Sequence, residues 1–156
     1  MTAIYLKRDD KLLLLYRQGS HVVNDVWIGS AGGHLEESEL NDARACVLRE
    51  LEEELSITEE QICNLQLRYV TLRRTKGEIR QNYYFFADLK EDGSPEISSN
   101  EGILRWFTLD ELSDLPMPFS ARYMMDHYLS EGIYNEKMYG GIADGEKVVF
   151  TEMPDF

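Results

Sequence analysis

Two apolar rhythms run along this chain. Short apolar runs bounded by turn-forming residues read as strands at Ala3–Leu6, Leu12–Arg17 and Trp27–Ala31. The turn Arg8-Asp9-Asp10-Lys11 separates the first two, and a polar loop over Gly19–Asp25 precedes the third. Leu40–Leu55 changes rhythm. It holds no Gly or Pro, is rich in Ala, Leu, Arg and Glu, and predicts a helix with Leu48, Leu51 and Leu55 on its core face. Leu65–Arg74 and Glu78–Leu89 return to strand pattern around Thr75-Lys76-Gly77, a hairpin signal. In the second of these, alternation sends Tyr83 and Phe85 to one face and Tyr84 and Phe86 to the other, so both faces are expected to be core. A polar loop at Lys90–Asn100 leads to a strand at Leu104–Thr108. A helical turn over Leu109–Leu112 follows, with Thr108 as its N-cap, and then a second helix at Ser120–Leu129. The tail predicts a hairpin of Glu136–Tyr139 and Lys147–Thr151 turning near Asp144-Gly145. Strands and helices mix without a regular βαβ rhythm. The expectation is an α+β fold with a mixed β-sheet packed between helices.

The helix carries the chemistry. In Arg49-Glu50-Leu51-Glu52-Glu53-Glu54, the spacing i, i+3, i+4 puts Glu50, Glu53 and Glu54 on one face, beside the packed stripe, while Glu52 points elsewhere into solvent. Like charges at that spacing repel by a few tenths of a kcal/mol per pair, about 0.2–0.5. A divalent cation is the usual compensation, and three carboxylates with waters suit Mg²⁺, with Mn²⁺ as a substitute. A solvated acidic face is the plainer reading. Gly32-Gly33 after a strand, Glu39 and the single basic Arg49 argue against it.

Bulk properties narrow the partners. A chain of 156 residues, 43% hydrophobic and 29% charged, is expected to form one domain over 1–156 with its own core. Net charge is −13, which repels duplex nucleic acid. The one basic cluster, Arg73, Arg74, Lys76 and Arg80, is enough to grip a small phosphorylated ligand or to protect an edge strand by charge. Cys46 and Cys63 lack metal or redox spacing and are expected as small core residues in a reducing compartment. Met1–Leu6 lacks the pattern of a signal peptide, and no apolar run approaches the ~20 residues of a membrane span. A cytoplasmic protein, monomer or homodimer, without a membrane partner is expected.

The constellation resembles the Nudix hydrolases, whose signature is Gly, five residues, Glu, seven residues, then Arg-Glu-apolar-any-Glu-Glu, any, Gly, apolar. Gly33, five residues and Glu39 match the first part, Arg49–Glu54 the core, and Ile57 the last apolar place. Two departures stand out: nine residues separate Glu39 from Arg49, and Ser56 replaces the glycine. Leu40-Asn41-Asp42 is expected to absorb the insertion before the helix.

The resemblance implies the Nudix fold, an α/β/α sandwich, and hydrolysis of a nucleoside diphosphate linked to a group X. A cation inverts the sign of the acidic site, neutralises the diphosphate and acidifies water. Glu50, Glu53 and Glu54 are its candidate ligands, and the Gly32 carbonyl joins them because a glycine permits close backbone approach. Arg49 orients a glutamate by a bidentate pair. The general base is Glu53 or Glu101. Arg17 and Arg80 are candidate phosphate clamps, and Gly33 and Glu39 join them as substrate-side positions. The build resembles the MutT-like branch, which implies an oxidised purine nucleoside triphosphate such as 8-oxo-dGTP, cut to monophosphate and pyrophosphate, with a role in DNA repair. The rivals are a pyrophosphatase of ADP-ribose, dinucleotides or nucleotide sugars, and a nucleotide-binding module without turnover.

Overall fold

The computed structural model describes residues 1–17, 25–91 and 96–156. The loop expected over Gly19–Asp25 lies outside the described residues except for Asp25, as does part of Lys90–Asn100. Among the described residues, nine strands form one mixed sheet: β1 (Thr2–Arg8), β2 (Lys11–Arg17), β3 (Val26–Gly29), β4 (Ala31–Gly33), β5 (Ile62–Thr75), β6 (Glu78–Leu89), β7 (Gly102–Thr108), β8 (Tyr139–Ala143) and β9 (Val148–Glu152). The path runs β3-β2-β1-β6-β5-β8-β9, with β4 paired to β1 and β7 to β2. β1 with β6 and β5 with β8 are parallel; the other pairs are antiparallel. Helix α1 (Ala43–Leu55) covers one face and α2 (Phe119–Ser130) the other.

Local sequence explains most elements. Asp9 and Asp10 both take positive φ, 49° and 61°, as a two-residue turn matched to strand twist requires. Lys76 and Gly77 do the same between β5 and β6. The aromatic row divides as alternation demands. Phe85 packs under α1 with Ile4, Val47 and Leu51, while Phe86 stacks on Tyr128 of α2 at 4.2 Å. Leu51 and Leu55 are buried and Leu48 half-buried, with Val47 and Cys46 completing the inward stripe. Glu52 is exposed, as expected.

Several expectations change. The run Trp27–Ala31 is two strands joined at a corner, Ser30. The reason lies in β1 and β2, which pair only over Leu6–Arg8 and Lys11–Leu13 and then part. β4 takes up the freed edge of β1 and β3 that of β2. Ser30 sits buried at the fork: its N–H donates to Ile4 O at 2.7 Å, its Oγ accepts from Leu6 N–H at 3.0 Å, and the same hydroxyl donates to Leu13 O. One serine thus replaces the ladder rung the diverging strands lose.

Helix α1 starts at Ala43 rather than Leu40. Glu37–Glu39 forms a separate 3-10 turn, Asn41 turns left-handed at φ 68°, and Asp42 caps α1 by accepting from Ala45 N–H at 3.1 Å. The two inserted residues are absorbed there, as expected. Ser56 ends the helix in the left-handed conformation, φ 55°, which is the geometry that favours glycine at a helix terminus. Cys46 is buried, but Cys63 is exposed, because Ile62 takes the inward position and alternation turns Cys63 out. The tail hairpin is shifted: its first strand is Tyr139–Ala143, not Glu136–Tyr139, and it extends the sheet beside β5.

Candidate active site

The parting of β1 and β2 opens a cleft of about 500 Å³. Its walls come from both faces of the sheet. Gly32, Gly33, Arg49, Glu50 and Glu54 line the α1 side; Tyr5, Asn82, Tyr84 and the start of α2 line the other; Arg17 and Glu101 stand at the β2–β7 end. The two glycines are there for space. A Cβ on Gly32 would lie 2.2 Å from Thr2 O, and one on Gly33 would lie 2.3 Å from Glu50 Oε1. β4 therefore lies tight against β1, and the Glu50 carboxylate rests on Gly33.

Arg49 organises the acids. Its Nε and Nη2 hold Glu39 through both carboxylate oxygens at 2.8 and 2.9 Å, and Nη2 also donates to His34 O at 3.1 Å. Nη1 donates to Glu50 and to Glu53, each at 3.0 Å. The Arg49 fork, helped by Glu36 N–H, holds the Glu39 carboxyl down at about 2, and the same pairing keeps Arg49 charged. The bidentate pair expected of Arg49 is made with Glu39. Glu39 is buried behind the cleft rather than on its wall, so the structure does not bring it to the substrate side.

Glu54 contrasts with Glu39. Burial pushes its carboxyl up to about 7, against the opposing pull of Gly32 N–H at 3.3 Å, and the Glu50 and Glu101 carboxylates add to the rise. Glu50 and Glu54 thus line the cleft together, with Arg49 bonded to Glu50 and the Glu101 carboxylate near enough to raise Glu54. An oxygen-only donor set of this kind fits a hard divalent cation. Glu53 does not join them. It is exposed, outside the cleft lining, and tied to Arg49. The expected convergence of Glu50, Glu53 and Glu54 is not formed: Glu50 and Glu54 line the cleft with Glu101, while Glu53 is held by Arg49 outside it. Among the described residues, no three acidic, His or Cys side chains are drawn close enough as they stand to enclose an ion.

The basic cluster divides by alternation. Arg73 and Arg80 face each other in register and line the cleft; the Arg74–Ile79 pair faces away. Sequence reasoning missed Asn82, Phe119 and Ser30. Counting back by twos from Tyr84 reaches Asn82 and Arg80, so the first was legible; no local signal marks the other two.

Sandwich fold, glycine corner and acid-bearing helix define a class of metal-assisted phosphoanhydride hydrolases. The model for the NUDIX domain matches residues 1–128, and the chain belongs to the Nudix hydrolase family. No curated protein matches the chain. Among solved structures, it is similar to a mutator MutT protein from Bacillus halodurans, at 23% identity and TM-score 0.67 over 99% of this chain and 97% of that one. A C. elegans Ap4A hydrolase in a binary complex gives 18% and 0.62 over 86% and 96%. The NUDIX domain of Shewanella oneidensis NrtR, complexed with ADP ribose, gives 15% and 0.56 over 86% and 85%. At these identities the likeness is one of fold. No helix among the described residues is long and apolar enough to cross a membrane.

Proposed function

We propose that this protein hydrolyses a nucleoside diphosphate linked to X, with an oxidised purine nucleoside triphosphate such as 8-oxo-dGTP as the preferred substrate. The observation that carries the reading is the placing of Glu54 and Glu50 against Gly32 and Gly33 in a cleft that Tyr84, Phe119, Arg73 and Arg80 also line. Glu50 and Glu54, with the Gly32 carbonyl, are the residues to hold Mg²⁺, and Glu53 joins them by leaving Arg49. When bound, the cation neutralises the diphosphate. Arg49 keeps the acids in place from behind. Glu101, whose N–H is fixed by Ser99 Oγ at 3.0 Å, is the candidate acceptor of the proton from attacking water, with Glu53 as the alternative. Phe119 offers apolar surface for a purine beside the buried Tyr5 and Tyr84, and Asn82 offers paired donor and acceptor groups to its edge. Arg17 lies at the end of the cleft where a phosphate clamp is useful.

ADP-ribose is the second reading, favoured by the fold shared with the NrtR domain that binds it. The test is a nucleotide panel with Mg²⁺, including 8-oxo-dGTP, dGTP and ADP-ribose, read by release of pyrophosphate or phosphate. Turnover that falls at least a hundredfold in Glu54→Gln, with an unchanged circular dichroism spectrum, is expected. Full activity in that variant, or no turnover of any nucleotide, overturns the assignment.

A further inference from the structure

Beyond its acids, the cleft lining holds a pair of arginines, Arg73 and Arg80. Arg73 and Arg80 are directly opposite each other on β5 and β6, and like charges so placed repel. Their own surroundings do little to neutralise them. Arg73 makes no ion pair among the described residues, and Arg80 meets only the exposed Glu78, at 3.8 Å. The guanidinium of Arg73 instead lies 4.9 Å over the ring of Phe119, the first residue of α2. That helix begins after Pro118, which provides no side-chain cap, and its first turn holds no acid. Its free N–H groups and positive dipole end therefore face the same space, since Phe119, Ser120 and Ala121 line the cleft. Arginine pair and helix end are independent features, and both favour an anion.

Register gives the distance. Gly32 is opposite Ala3, and Ala3 opposite Tyr84, which places Gly32 and Tyr84 two strand spacings apart. Arg80 lies four residues further along β6. With ~4.8 Å between strands and ~3.3 Å per residue, the separation from Gly32 to Arg80 is about 16 Å. Once an arginine side chain reaches back, the gap left is of nucleoside length.

We propose that Arg73, Arg80 and the first turn of α2 form a second anion subsite, which takes a phosphate carried by the substrate about one nucleoside away from the acids. This rests on the reading of the cleft as a nucleotide site, and it moves the preferred substrate from 8-oxo-dGTP, whose phosphates all lie at its 5′ end, to a nucleotide with a second phosphate beyond the nucleoside. The second phosphate has two possible sources, a phosphate on the ribose of a mononucleotide or the next phosphodiester of an oligonucleotide.

Calorimetric binding to the full chain in Mg²⁺ buffer tests it, with adenosine 3′,5′-bisphosphate, the dinucleotide pApA and AMP as probes. At least tenfold tighter binding of a two-phosphate probe than of AMP is expected. The bisphosphate alone gaining assigns the ribose phosphate, and pApA alone assigns the phosphodiester. That ratio is expected to fall toward one in Arg73→Gln/Arg80→Gln and to persist in Arg73→Lys/Arg80→Lys. It also persists in Arg74→Gln/Lys76→Gln, which removes the same charge away from the cleft. No discrimination in the wild type, or equal loss in both charge-removing pairs, overturns the subsite. Discrimination that persists when no nucleotide in the panel is hydrolysed leaves the subsite standing and overturns the hydrolytic reading instead.

Discussion

Replacing Ser30 with alanine tests the argument that one hydroxyl holds the fork of β1 and β2. The substitution removes the acceptor of Leu6 N–H and the donor to Leu13 O. Both residues are buried, at 0% and 2% exposure, and Ser30 itself is at 0%, so water does not replace the lost partner. Each backbone group left unpaired costs roughly 1–3 kcal/mol, offset in part because alanine no longer buries a hydroxyl, so the net loss is about 2–4 kcal/mol. Against a total stability of about 5–15 kcal/mol this is a large fraction. With a urea slope of about 2 kcal/mol/M, the unfolding midpoint is expected to fall by about 1–2 M. Hydrogen exchange at the Leu6 amide should quicken in the same variant. Ser113→Ala is the control, since that exposed hydroxyl bonds only Asp110 O, at 3.3 Å, and its loss is expected within about 0.5 kcal/mol. A midpoint for Ser30→Ala no lower than that of the control refutes the bridging role.

Two further outcomes follow from the cleft. Gly32→Ala and Gly33→Ala are expected to separate stability from activity: at Gly32 the added Cβ meets backbone, Thr2 O at 2.2 Å, and urea melts should show a loss of about 1–3 kcal/mol. At Gly33 it meets the movable end of Glu50, so steady-state kinetics should show at least a tenfold loss of rate with little change in the melt. Glu54 links protons to metal. Its folded carboxyl titrates near 7 rather than 4.5, so the metal-free fold binds the proton more tightly than the unfolded chain and loses stability as pH rises from 4.5 to 7. On the proposed role of Glu54 as a ligand, Mg²⁺ is expected to displace that proton, and apparent affinity should climb by up to about tenfold per pH unit below 7 and level off above it. Calorimetry at pH 6 in two buffers of different ionisation heat should find about one proton released; pH-independent affinity refutes the linkage.

Local elements were legible because their causes are local. Asp9-Asp10 and Lys76-Gly77 need only their own backbone preferences, and Tyr83–Phe86 divides between two faces by strand geometry alone. The acidic helix is equally self-declaring, since spacing fixes which side of α1 its glutamates share. Placing a turn around the inserted residues before Arg49 also worked, because Asn41 and Asp42 favour a left-handed step and a cap. Element ends were less legible: Leu40 fits a helix by propensity, yet the Asp42 cap and the Glu37–Glu39 turn exclude it.

What this sequence determined by itself is therefore most of the elements, the buried face of α1 and of the aromatic strand β6, and the acids that share one side of α1. Tertiary structure decided which of those acids meet. A salt-bridge partner has no sequence distance: Arg49 reaches Glu39 across the insertion and holds Glu53 aside, while Glu101, just before β7 and nearly fifty residues on (101 against 54), joins Glu54 in lining one cleft. The cleft itself has the same origin. It exists because two strands part at Ser30, and the backbone hydrogen bonds that make them part join residues far apart in the chain.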